Sequence, residues 1–353
     1  MRRLNRGEDG EQGATLLIVA MALLTLIVFA ALVVDVGALV QERRTLQNGA
    51  DAAALAVAND CASDSCSNYV ATAGNYADAN ADDGASTAEN VCGFVPTSPG
   101  ALPACSSPPS VAAGVGYVRV TTVTRTTGGS SQVPFHLAQV IGLTGSTVRR
   151  QATVAWGGPG SLVSALPLTI STCEFDHYTS NGTVYVPPGP HPPWPAERTI
   201  YFHDTTPATP CPSGPSGADL PGGFGWLRTA TDCQTPSSVN GWFDDSTGRP
   251  PPNSCDPPEM SALKGTVVYI PVYDDTNGLN GSNGKYHIKG YAAFYLTGYS
   301  IEGQYKEKSL ITNSMPCNGN ESCISGFFVG GELVSGGTVG GPSMGVAVIS
   351  VIG

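Results

Sequence analysis

Charge is scarce in this chain. Only 13% of its 353 residues are Asp, Glu, Lys or Arg, and the formal net charge is −11. No Lys/Arg cluster supplies the positive footprint that phosphate backbones require, so no nucleic-acid partner is expected. The cysteines contain no C-x-x-C pair, which argues against a zinc ribbon or a thioredoxin-type redox site. The histidines show neither H-x-x-x-H nor H-E-x-x-H spacing, so Asp176, His177, His191, His203 and Asp204 are read as loop and strand-end residues. A nucleophilic enzyme needs a Ser, Cys or Thr with a base in reach. The cysteines look paired rather than reactive, no nucleophile elbow is expected, and Asp244 and Asp245 have nothing to activate. The chain is therefore read as non-enzymatic, with no cofactor, metal or small-molecule ligand.

What the sequence does have is one long apolar run. Ala14 to Val34 carries no charged residue, proline or glycine, and includes Leu17, Leu24 and Phe29. At about 1.5 Å per residue it is long enough for a hydrocarbon core of about 30 Å. A cleaved signal peptide is the competing reading, but its apolar region would be shorter and followed by a small-x-small site. A retained anchor over 14–35 fits better, behind a polar cytoplasmic tail over 1–13.

The ten cysteines, Cys61, Cys66, Cys92, Cys105, Cys173, Cys211, Cys233, Cys255, Cys317 and Cys323, all follow this run. An even number in loop-rich sequence fits disulfides formed outside the cytoplasm. Cys61/Cys66 and Cys92/Cys105 are candidate local staples; the remaining connectivity is open. Arg2, Arg3 and Arg6 before the run, against Arg43 and Arg44 after it, give only a slight positive-inside bias. The cysteines decide the direction: N-terminus inside, body outside.

Beyond the run, Leu39, Leu46, Ala50, Ala53 and Val57 recur as one stripe of a helix, while Arg43, Gln47 and Asp51 mark another face. Anchor and extension (36–60) are expected to form one continuous helix. Three stretches here resemble a known family: Gly13 with the apolar run; Val-Asp-Val-Gly around Asp35 and Gly37; and Arg43-Arg-Thr-Leu-Gln47-Asn48-Gly-Ala50-Asp51-Ala-Ala-Ala54-Leu-Ala. Together they look like the N-terminal module of TadE/TadG-like proteins of bacterial Flp (Tad) pilus assembly, over about residues 10–60. The resemblance implies a single-pass protein of the cytoplasmic membrane whose partners are the lipid bilayer and other pilus-assembly or envelope proteins. It implies no catalytic residue. Members processed by prepilin peptidase carry Glu five residues after the cleavage glycine; here that position is Ile18, so an unprocessed, permanent tether is expected. A von Willebrand A domain, found on some TadG-like proteins, is not assigned, because Asp64-Ser-Cys-Ser-Asn fails its metal motif.

The 44 glycines and 28 prolines point to a β-rich, loop-heavy body. Residues 61–157 read as a small α+β unit: a helix over Tyr69–Ala79 amid loop, a strand from Tyr117, a short helix opened by Pro134 and closed by Gly142, and a strand over Thr147–Trp156. Gly157-Gly-Pro-Gly reads as a boundary. Residues 158–353 read as a mostly antiparallel, Cys-rich β module. Its strands are placed near Leu166–Cys173, Thr199–His203, Phe224–Thr229, Thr266–Tyr273, Tyr286–Ile301, Cys323–Val329 and Gly345–Ile352. The strands around the 274–284 loop should form a hairpin, with a bulge near Gly290. That loop is Asn/Asp/Gly-rich, but turn chemistry accounts for it better than calcium. Trp194, Trp226 and Trp242 suit a small core better than a binding surface. The sequons at Asn181, Asn280 and Asn320 are read as chance. The fold class is thus membrane-anchored α+β. The alternative function is an anchored ligand-binding protein or hydrolase that uses the same type of anchor.

Overall fold

The computed structural model describes residues 9–63, 65–81, 85–189, 193–202, 211, 224–229, 232–246, 250–277, 284–319, 321–334 and 336–353. Its organising element is one helix, Asp9–Ala62, of 54 residues. Alanine and leucine favour it, no proline interrupts it, and it runs on through Gly37 and Gly49. Over its apolar stretch the helix stands free, with Leu16, Leu24, Phe29 and Val33 exposed. Its outer end is buried through Ala50, Ala53, Ala54, Val57 and Ala58. The Cys61–Cys66 disulfide closes the turn that follows, and Tyr69–Ala79 folds back as a second helix with Ala73 and Ala77 buried. Small side chains on both helices let the backbones approach closely.

Both helices pack on a seven-stranded sheet. Its order is Ser86–Phe94, Gly116–Thr124, Arg149–Ser164, Val346–Val351 and Glu332–Val334, and Thr338–Gly341 and Thr235–Ser238 also pair with the central Arg149–Ser164 strand. Val118, Val120, Ala152, Val154 and Trp156 turn inward onto the helical alanines. Ser86–Phe94 lies where mostly loop was expected. It is an edge strand with a register irregularity between Ala88 and Asn90, and its polar alternation carries little hydrophobic signal.

Gly157-Gly-Pro-Gly, expected as a boundary, is the middle of the Arg149–Ser164 strand. The glycines serve close backbone packing. Gly158 pairs with Gly341, and a Cβ on Gly158 would collide with the Pro342 carbonyl. The C-terminal strand joins this sheet by pairing antiparallel with Val154–Gly157 and carries Glu332–Val334 on its other side.

The second sheet has eight strands, in the order Arg198–Tyr201, Cys323–Val329, Lys285–Ser300, Val267–Asn277, Leu168–Ser171 and Phe224–Trp226. Trp242–Asp244 and Lys306–Glu307 also pair with Lys285–Ser300. The expected hairpin is present: Val267–Asn277 pairs antiparallel with Lys285–Ser300, and the register shifts beside Gly290. Ile170, Trp226, Ile270, Phe294 and Phe328 fill its core.

Two helices in this half were not expected. Thr172–Thr179 replaces the end of the Leu166–Cys173 strand and is capped by the Ser171 hydroxyl, which accepts from the Glu174 N–H. Pro257–Leu263 carries a capping box between Asp256 and Glu259 with proline in its first turn, a signal legible in Asp256-Pro-Pro-Glu. The whole is α+β: a long apolar helix followed by a mostly β body cross-linked by disulfides.

Candidate functional site

Asp35 ends the apolar run, and the chain returns to it about a hundred residues later. Its buried carboxylate accepts hydrogen bonds from the backbone N–H groups of His136 (2.8 Å), Leu137 (3.2 Å) and Ala138 (2.7 Å). These donors lead into a single 3-10 turn, Ala138–Ile141, which ends at Gly142 in a left-handed conformation (φ 85°). The helix expected from Pro134 is thus only this turn. Pro134 itself belongs to a two-residue bridge, Val133–Pro134 with Gly145–Ser146. Three charge-assisted contacts explain why a charged residue tolerates burial here. Beside them lies an apolar cavity of about 340 Å³ whose walls include Ile27, Phe29 and Leu32 from the helix and Phe135, Leu137 and Leu143 from the loop.

The remaining motif residues fall into three groups. Ala50 and Ala54 are buried against the sheet. Gln47 donates to Asp51 (2.9 Å) and to the Gln151 carbonyl (3.2 Å), tying helix to strand. Gly37, Arg43 and Asn48 are exposed. Ala14, Leu17, Leu24, Phe29 and Val34 also face outward. Sequence reasoning missed Thr122, whose buried hydroxyl donates to the Leu46 carbonyl (2.9 Å).

All ten cysteines are paired: Cys61–Cys66, Cys92–Cys105, Cys173–Cys211, Cys233–Cys255 and Cys317–Cys323. The pairs are sequential along the chain. His191, His203, Asp204, Asn320 and the loop residues 278–283, Asn280 among them, lie outside the described residues. Asp176 and His177 sit on the Thr172–Thr179 helix, and His177 packs on the Tyr178 ring. The three tryptophans divide: Trp226 is core, while Trp194 packs on Tyr295 and Trp242 on His287 at half-exposed positions. Asp244 faces Lys285 at 3.1 Å, which with Arg228 holds its carboxyl below the usual range. Asp245 is the opposite case. Burial pushes it up to about 6, against the pull of Arg228.

Against the expectation of no nucleophile elbow, Gly341-Pro-Ser-Met-Gly345 has G-x-S-x-G spacing. It joins strand Thr338–Gly341 to strand Val346–Val351, not a strand to a helix, so Ser343 is not on a nucleophile elbow. Another site invisible in sequence is the Glu197 carboxylate, which accepts from the hydroxyls of Thr297, in the Lys285–Ser300 strand, and of Ser309, and so joins three segments far apart in the chain.

Comparison with known proteins bears on the helix alone. Residues 13–60 match the Tad family, described as putative Flp pilus-assembly TadE/G-like. No curated protein and no solved structure matches the chain. The helix over 14–62 is long and apolar enough to cross a membrane. The match spans the stretch of the N-terminal helix that carries Asp35 and the alanine face, so this segment is similar to a Tad module, and the body after residue 60 lies outside the match.

Proposed function

We propose that this protein is a non-enzymatic, membrane-tethered component of a Tad/Flp pilus-assembly apparatus or a related envelope machine. One observation carries the reading. The helix that is apolar over Ala14–Val34 continues without a break into the body, where Ala50, Ala53 and Val57 are buried against the sheet. Anchor and body are thus joined without a linker, an arrangement suited to holding a subunit at a set distance from a membrane. The five disulfides, all past the apolar run, favour an extracytoplasmic body with the N-terminus inside. The half-exposed Trp194 and Trp242 are candidate contacts for other envelope subunits.

Deleting the gene in its own bacterium and counting surface Flp-type pili tests the proposal. Loss of pili, restored by the full chain, is expected; normal piliation overturns the reading. An intact mass that retains the residues before Ala14 is expected too, given Ile18. A first residue of Ala14 would instead mean processing.

A further inference from the structure

We infer that the loop Phe135–Leu143 is a second membrane-contact element, seated among the acyl chains of the outer leaflet beside the helix. The inference rests on the reading of Ala14–Val34 as a membrane span, and three independent observations carry it. First, depth. The loop encloses the apolar cavity together with Ile27, Phe29 and Leu32, and Ile27 lies about 10 Å along the helix from Val34, inside the end of the span. Second, composition. Between Arg125 and Arg149 there is no Asp, Glu, Lys or Arg to be desolvated by lipid. Leu137 and Leu143 are exposed at 37% and 53%, and with the exposed Phe29 and Leu32 they line the same cavity, so the apolar surfaces of loop and helix are continuous.

Third, backbone satisfaction. Irregular backbone at membrane depth is tolerated only where its polar groups have partners. Asp35 takes the N–H groups of residues 136–138. The Phe135 N–H donates to the Thr144 carbonyl (3.1 Å), Gly142 to Gln139 (3.0 Å) and Leu143 to Ala138 (3.1 Å). Asp35 is thus the residue that makes the loop compatible with lipid. His136 is the one titratable side chain in the loop segment, and it is exposed.

The paired native cysteines leave a single added thiol as a unique reporter. A nitroxide on Leu143→Cys, in the full chain in phospholipid nanodiscs, should be severalfold more accessible to oxygen than to a water-soluble nickel chelate. It should match Phe29→Cys and contrast with Val163→Cys, which is exposed on the body. If Phe29→Cys reports lipid while Leu143→Cys reports water, the inference falls and the anchor stands. If both report water, the anchor reading itself fails. Spin–spin broadening at Leu143→Cys that scales with the number of copies per disc would mean a second copy covers the cavity, which also overturns the inference. As a check that needs no added cysteine, Leu143→Trp should be quenched by brominated acyl chains beyond the native tryptophan background; an unchanged background overturns it.

Discussion

Gly49 lies against Ala77 so closely that a Cβ on it would sit 3.2 Å from the Ala77 carbonyl oxygen. This contact sets the spacing between the long helix and the Tyr69–Ala79 helix that braces it. Gly49→Leu has no room to pack and should destabilise the body by about 1–3 kcal/mol, read as a lowered denaturation midpoint. Gly49→Ala should be near neutral, because the tight contact offsets a helix-propensity gain of about 1 kcal/mol. Equal stability of the Leu and Ala variants would contradict the packing account.

Asp35→Asn keeps the size of the side chain but removes the charge that three backbone N–H groups share. Bonds to charged groups contribute about 1.5–3 kcal/mol each, so the amides of residues 136–138 should exchange at least about tenfold faster. The thermal midpoint of the disulfide-linked body should hardly move. Unchanged amide protection in the variant would remove Asp35 from its assigned role.

Thiol labelling of denatured, unreduced protein should find no free cysteine. The bridges should not contribute equally, since Cys173–Cys211 spans 38 residues and Cys61–Cys66 only 5. On the loop-entropy account, removing the former as a Ser/Ser pair should cost about 2 kcal/mol more than removing the latter. A reversed order would place the effect in the native state instead.

Asp245 supplies the pH dependence. Its carboxyl is pushed up to about 6 by burial, above an ordinary value of 3.8. The native state therefore binds the proton more tightly than the unfolded chain. Stability from this group is fully present below about pH 4 and is lost as pH rises to about 6, by at most about 3 kcal/mol. Asp245→Asn should remove that slope and raise the denaturant midpoint at pH 7 relative to wild type. Parallel pH profiles for the two proteins would exclude Asp245 as the source.

The elements legible in sequence were those whose signal is local. The apolar run, the alanine stripe from Leu46 to Val57, the Lys285–Ser300 strand with its shift beside Gly290, and an even set of cysteines all follow from periodicity or count. Gly157–Gly160 misled because glycine and proline usually break structure, whereas here the glycines admit the neighbouring strand's backbone. Ser86–Phe94 was hidden because an edge strand has only one covered side and needs little apolar patterning.

By itself the sequence determined that the chain has one span-length apolar helix, that this helix continues as a Tad-type segment, and that a β-rich body follows it. Helical period and hydrophobic length are properties of neighbouring residues, so no partner is needed to read them. Only the tertiary structure decided what Asp35 is for, that Cys173 meets Cys211, and that the C-terminal strand pairs with the sheet under the long helix. Each joins residues far apart in the chain. Such contacts form where burial and hydrogen bonding outweigh the entropy of closing a long loop, and that balance is struck only in the folded whole.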